Sequence, residues 1–170
     1  MPDSTIPTVE RLCGHHQTDG FDCGVAYLNE SLFFFQRRFS AGERVLGFVA
    51  VSAESLTVMG FVILADTLLL VPGTERALRC LTVPAFAVDL SQQRKRVFKV
   101  LVEAAMGAMA QRQKSSGGLR YSGILCLPDP ATPLERWLRA LGFQSVGSEG
   151  LMWLPFEETD DDAANEDEST

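Results

Sequence analysis

The stretch Val83-Pro84-Ala85-Phe86-Ala87-Val88-Asp89-Leu90-Ser91-Gln92-Gln93-Arg94-Lys95-Arg96-Val97-Phe98 changes texture halfway along. Its front end completes an apolar run, Arg79–Val88, that reads as a strand, with Pro84 marking an edge, a bulge or a splayed position. Behind it, Val97, Val100, Leu101, Ala104, Ala105 and Ala108 recur at helical spacing, so Gln93–Lys114 reads as a long helix. A strand that hands over to a long amphipathic helix through a polar turn is the unit from which mixed α/β sheets are built.

Working outward, Thr8–Cys13 reads as a short strand, and Gly14-His15-His16-Gln17-Thr18-Asp19-Gly20 as a loop. Leu28, Leu32, Phe35 and Phe39 then trace one face of a helix that Ala41-Gly42-Glu43 ends. Phe33 and Phe34 widen that face, so this helix is deeply packed or carries a partner surface. Val45–Val51 and Val58–Leu64 have β texture, interrupted by Gly47, Gly60 and Asp66-Thr67, and Pro72-Gly73-Thr74-Glu75 is a loop. Beyond the long helix and the break Ser115-Ser116-Gly117-Gly118, Tyr121–Leu127 is a buried strand and Leu134–Leu141 a short helix stopped by Gly142. Phe143–Val146 and Leu151–Phe156 close as a hairpin around Gly147-Ser148-Glu149-Gly150. The expected architecture is one mixed α/β sheet with helices packed on it.

The chain has 170 residues, 46% of them hydrophobic, which suits one domain with a sizeable core. Its net charge of -7 is not spread evenly: Glu157, Glu158, Asp160, Asp161, Asp162, Glu166, Asp167 and Glu168 carry it, and residues 1–156 are near neutrality. We therefore expect a folded body over residues 1–156 and an acidic, disordered tail over 157–170. Four scattered cysteines, Cys13, Cys23, Cys80 and Cys126, suit a reducing compartment and free thiols. No signal segment opens the chain and no apolar run approaches the ~20 residues that span a bilayer, so a soluble cytoplasmic protein without a membrane role is expected.

Several of these pieces resemble one family. His16-x4-Phe21-Asp22-Cys23-Gly24-x3-Leu28-Asn29-x2-Leu32 is similar to the opening of GNAT-type toxins, a subgroup of the Gcn5-related N-acetyltransferases that acetylates aminoacyl-tRNA. Gly60-Phe61-Val62-Ile63-Leu64 resembles the family's third strand, Val83–Asp89 its fourth, and Arg139-Ala140-Leu141-Gly142-Phe143 the end of its last helix. The resemblance covers about residues 8–156. It implies a GNAT-like fold and acyl-CoA-dependent N-acetyl transfer to an amine, on aminoacyl-tRNA or on a protein. The cofactor would be acetyl-CoA, and the partners a tRNA or protein acceptor, a protein partner or a second copy of the chain.

Two departures bear on the site. The family cradles the cofactor's pyrophosphate in a loop of small residues at a helix start, where bare N–H groups and the helix dipole favour anions. Here Gln93 precedes Arg94, Lys95 and Arg96, and Phe98 follows, so arginines and a phenylalanine stand where small residues are expected. Either these side chains grip phosphate directly, or they form a basic, solvated first turn with no ligand. In the first case Phe86, Ala87, Val88, Gln93, Arg94, Lys95 and Arg96 hold the cofactor. The second departure concerns the tyrosine that protonates the departing thiolate. Aligned on Gly142-Phe143, its place falls on Leu138, with Trp137 before it, and no catalytic residue is assigned. Tyr27 and Tyr121 are the remaining tyrosines, Tyr121 reading as strand packing. A catalytically silent binding module with the same fold is the alternative.

His15-His16 lies near Cys13 and Cys23, but the spacing fits no ordinary zinc site and adjacent histidines in extended chain point apart, so no metal is assigned. Asn29-Glu30-Ser31 matches a glycosylation sequon but falls within a helix. Arg37, Arg38, Arg44, Arg112, Lys114 and Arg120 would contact RNA phosphates if the fold gathered them.

Overall fold

Residues 60–64 alternate in direction, and both directions are buried. Phe61 and Ile63 pack into one apolar cluster, Val62 and Leu64 into another. A strand buried on both sides needs cover on both sides. In the computed structural model, which describes residues 7–39, 45–70, 73–93, 96–115 and 121–156, that cover is one helix on one face and two on the other.

The elements are β1 (Thr8–Arg11), α1 (Ala26–Phe39), β2 (Val45–Val51), β3 (Val58–Leu70), β4 (Ala77–Val88), a 3-10 turn (Leu90–Gln92), α2 (Val97–Ser115), β5 (Gly123–Cys126), α3 (Leu134–Ala140), β6 (Gln144–Val146) and β7 (Leu151–Pro155). The strands form one sheet in the order β1-β2-β3-β4-β5-β7-β6, antiparallel throughout except for the parallel pair β4–β5. Helix α1 covers one face through Leu28 and Leu32, while α2 and α3 cover the other through Val97, Leu101, Leu134 and Leu138.

Three expectations are corrected. Strand β3 does not stop at Leu64 but runs through Asp66-Thr67 to Leu70. The two polar residues are cross-strand partners rather than a break: Asp66 takes a two-pronged hydrogen bond from Arg79 (3.0 and 2.8 Å), and the hydroxyls of Thr67 and Thr82 meet at 3.0 Å. Helix α2 begins at Val97, not Gln93, because Asp89 caps the 3-10 turn by accepting from the Ser91 N–H at 2.9 Å. Its buried ridge is Val97, Leu101, Ala105 and Met109, whereas Val100, Ala104 and Ala108 lie on the half-buried flank. Tyr121 precedes β5 instead of lying in it, and its hydroxyl donates to Asp66 at 2.9 Å.

Other expectations hold. The last helix ends in a Schellman motif: Phe143 N–H donates to the Leu138 carbonyl (3.1 Å), Gly142 N–H donates to that of Arg139 (3.0 Å), and Gly142 has φ +94°. The β6–β7 hairpin forms around Gly147 and Gly150, and all four cysteines are free. The helix stop at Ala41-Gly42-Glu43, the loop basics Arg44 and Arg120, and the tail 157–170 lie outside the described residues.

Candidate active site

Strand β5 accompanies β4 for only three positions, Leu81↔Ile124, Thr82↔Leu125 and Val83↔Cys126. The next residue, Pro84, has no N–H to donate, and it sits in a bulge where Val83 and Pro84 together oppose Leu64 of β3. From there β4 runs on through Val88 with β3 alone as its strand partner, and β5 turns away at Cys126. A fork opens between the two parallel strands, at the carboxyl ends where open α/β sheets place ligands.

Three features furnish this fork. At its β4 arm, the turn Phe21–Gly24 is lashed to the strand end. Asp22 N–H donates to the Asp89 carboxylate (3.0 Å), Leu90 N–H to the Asp22 carbonyl (2.8 Å), and the Asn29 amide to the Asp22 carboxylate (3.0 Å). The bond from Asn29, aided by the Gly24 N–H at 2.8 Å, holds the Asp22 carboxyl below its ordinary range. This is the physical content of the Asp22-Cys23-Gly24…Asn29 segment, and it also discounts the sequon, whose Asn29 side chain is engaged inside the fold.

Across the mouth, the Tyr27 hydroxyl of α1 donates to Asp129, beyond β5, at 2.6 Å. Burial, then the bond and charge of Asp129, push the Tyr27 phenol up to about 12. It therefore stays protonated at neutral pH. Within the fork, the Phe86 ring lies 5.2 Å from Phe98 at the start of α2, and Phe98 lies 4.7 Å from Trp137 on α3. Phe98 thus turns inward to bridge the two helices. Two voids described between the arms measure about 30 Å³, beside Phe86, Met106 and Leu138, and about 10 Å³, beside Gln93, Pro133 and Trp137.

Phe86, Ala87 and Val88 are buried; the Phe86 ring belongs to the aromatic chain of the fork, and Ala87 and Val88 offer mainly backbone there. Gln93 is half-buried and its amide donates to the Val88 carbonyl at 3.3 Å. Arg96 is exposed, and its carbonyl accepts the first α2 bond, from Val100, at 3.2 Å, which sets the residue at the helix start. Arg94 and Lys95 lie outside the described residues. Sequence reasoning missed Gln92, whose Oε1 is buried without a hydrogen-bond partner in this turn. Nothing in its spacing marked it.

Leu138, in the place of the family's acid, is buried in the core and carries no proton to give. Both tyrosines donate to carboxylates, Tyr27 to Asp129 and Tyr121 to Asp66. Of the predicted basic residues that are described, Arg37 and Arg38 end α1, which covers one face of the sheet, and Arg112 and Lys114 end α2, which covers the other. The histidines, in contrast, do not point apart. Their rings are 4.5 Å centre to centre, and with Cys13 they bring three ligand-type atoms within 4.8 Å of one another.

This arrangement of forked parallel strands, a turn and a helix start has known counterparts. The AtaT toxin, as a tyrosine-to-phenylalanine variant bound to the C-terminus of the antitoxin AtaR and acetyl-CoA, superposes with TM-score 0.73 at 19% identity, over 88% of this chain and 92% of that one. The fold is that of the GNAT N-acetyltransferases. A variant of the KacT toxin matches equally well in shape, with TM-score 0.73 at 20% identity over 88% and 94% of the two chains. AtaT complexed with acetyl-methionyl-tRNA gives 0.68 at 17%, over 88% and 95%. No protein-family profile matches the sequence, and no curated protein does.

Proposed function

We propose that this chain transfers the acetyl group of acetyl-CoA to an amine, with aminoacyl-tRNA as the acceptor. The observation that carries the reading is the β4–β5 fork set against the start of α2, in a fold shared with a toxin bound to acetyl-CoA and with AtaT complexed with acetyl-methionyl-tRNA. The residues suit the cofactor at both ends. Arg96, with Arg94 and Lys95 beside it in sequence, supplies cations for phosphate at a helix N-terminus. The backbone of Phe86, Ala87 and Val88 lines the fork, and Gln93, whose amide donates to the Val88 carbonyl, ties the turn to the strand end. The Phe98–Trp137 contact is the part that must open.

When bound, acetyl-CoA supplies an acetyl group activated as a thioester. The protein's share is to align it with the amine and keep water from the fork, a contribution that orientation alone makes large. With Leu138 in the acid's place, the rate falls about 10²–10⁴-fold below that of a site with a positioned proton donor. The exposed Phe33 and Phe34 on α1 would dock a protein partner or a second copy. No helix among the described residues is long and apolar enough to cross a membrane, and a tRNA acceptor goes with a cytoplasmic protein on this reading.

The test is incubation with isotope-labelled acetyl-CoA and a pool of charged tRNAs, with calorimetry of acetyl-CoA alongside. Slow labelling of the aminoacyl end is expected. Charge-assisted contacts contribute about 1.5–3 kcal/mol each, so Arg94→Ala/Arg96→Ala should weaken acetyl-CoA more than tenfold. Binding without transfer to any amine overturns the acceptor and leaves the cofactor. Absence of binding at millimolar acetyl-CoA leaves the second reading, a silent GNAT-fold interaction module, which the closed Phe98–Trp137 contact favours.

A further inference from the structure

The loop between β1 and α1 holds a cluster that the fork does not use. Its tight turn, closed by His16 N–H donating to the Cys13 carbonyl at 3.3 Å, folds the side chains of Cys13, His15 and His16 together. Cys13 Sγ lies 3.0 Å from His15 Nδ1 and 3.4 Å from His16 Nδ1. We propose that Cys13, His15 and His16 bind one zinc ion, with Glu10 as the carboxylate that orients His16.

The distances suit that ion with the loop backbone as it stands; the exposed His15 ring, whose Nδ1 and Nε2 lie 3.0 and 3.5 Å from the sulfur, turns one nitrogen to the metal. Zinc bonds of about 2.3 Å to sulfur and 2.0–2.1 Å to nitrogen, at a tetrahedral angle, set sulfur and nitrogen roughly 3.5 Å apart. The observed separations are already close to that edge. One thiolate and two imidazoles form a borderline-soft donor set, which selects zinc over the hard cations magnesium and calcium. His16 Nε2 is 3.1 Å from Glu10 Oε2, the carboxylate–histidine pairing that fixes ligating imidazoles. With the proton on Nε2, the Nδ1 lone pair is turned to the cluster, where it accepts from the Cys13 N–H at 3.1 Å. The ion replaces that bond and displaces the thiol proton to solvent. The remaining positive charge is offset by Glu10.

The site is also held ready. The Gln36 amide of α1 donates to the carbonyls of Cys13 (3.1 Å) and His16 (2.9 Å), and its oxygen accepts from Thr18 at 3.2 Å. His16 is buried at 4% exposure, which a structural role for that residue would explain. Such a role does not explain His15, an exposed imidazole laid against the same sulfur, nor why Cys13 is the one cysteine of the four that is not buried. The open side leaves the fourth position to water.

The whole chain, stripped with chelator, is titrated with cobalt and then with zinc. One equivalent of cobalt should bring a thiolate-to-metal charge-transfer band and tetrahedral d–d bands, both bleached by zinc. Cys13→Ser should abolish the charge-transfer band, and His15→Ala should weaken zinc binding. These side chains reach solvent, so both variants should unfold like the wild type in the absence of metal. Glu10→Ala should keep the band while weakening zinc about 10–100-fold. The proposal is overturned if the wild type gives no charge-transfer band at millimolar cobalt. It is equally overturned if the band survives in Cys13→Ser or if zinc affinity is unchanged in His15→Ala.

Discussion

At the scale of single residues, Asp66 bears the most concentrated electrostatics in the sheet. It accepts from Arg79 Nε and Nη2 and from the Tyr121 hydroxyl, and Arg112 stands 3.7 Å away. The bond from Arg79, countered in part by burial, holds its carboxyl below the ordinary 3.8. A carboxylate with a depressed folded pKa contributes stability above the unfolded value, and that stability is lost as pH falls through the folded one. We expect Asp66→Asn to cost about 1.5–3 kcal/mol at neutral pH, the range for hydrogen bonds to a charged group. The gap from the wild type should close below pH 3.8, as chemical unfolding at stepped pH would report; a gap constant to low pH removes the charge from the account. Sequence composition presented Asp66 as a break in a strand, because single-residue β-propensity has no access to an arginine thirteen positions away. The Asp22–Asn29 pair was visible as a pattern, but its anchor, Asp89, is 67 residues from Asp22 and came only with the fold.

At the scale of elements, helix α2 is seated by a glycine. A Cβ on Gly60 of β3 would stand 2.8 Å from Val97 Cγ1 and 3.1 Å from both Leu101 Cδ1 and the Ala87 carbonyl oxygen. The helix thus comes down onto the sheet where the strand has no side chain. Leu101 is fully buried, and Leu101→Ala should cost about 2–5 kcal/mol by thermal or denaturant unfolding. Gly60→Ala should cost about 1–3 kcal/mol by overpacking, and Val97→Ala in the same molecule should recover part of it, since the closest clash is then gone. Strict additivity of the two substitutions refutes the seating. Helical periodicity identified α2 and most of its buried face without a structure. It misjudged the start by four residues because Gln93–Arg96 are all acceptable in a helix. The cap that delays the helix, Asp89 on Ser91, is a local contest between side chain and backbone that periodicity does not register.

At the scale of the whole molecule, the fork joins two arms: β1–β4 with α1 on one side, β5–β7 with α3 on the other. Among the ties between them are three ladder positions, the Tyr27–Asp129 and Tyr121–Asp66 bonds, the Phe86–Phe98–Trp137 chain and a shared apolar core. The two described voids between the arms, about 30 and 10 Å³, are below the roughly 300–1,000 Å³ of a small-molecule site, and in the proposed function acetyl-CoA enters there by parting the aromatic chain. Trp137 reports that event. The other tryptophan, Trp153 on β7, lies over Gly123 of β5, where a Cβ would meet its ring at 2.6 Å, and has no part in the chain. Adding acetyl-CoA should therefore change tryptophan emission. Trp137→Phe should lose most of that change while still binding, as calorimetry would detect. A ligand at about 100 times its Kd stabilises the folded state by roughly 2.7 kcal/mol, so the wild type should also melt higher. If acetyl-CoA raises the melting temperature but leaves Trp137 emission unaltered, the ligand sits elsewhere and the fork is closed to it. The same substitution bears on the silent alternative: if that contact is what bars the cofactor, Trp137→Ala should admit acetyl-CoA where the wild type does not.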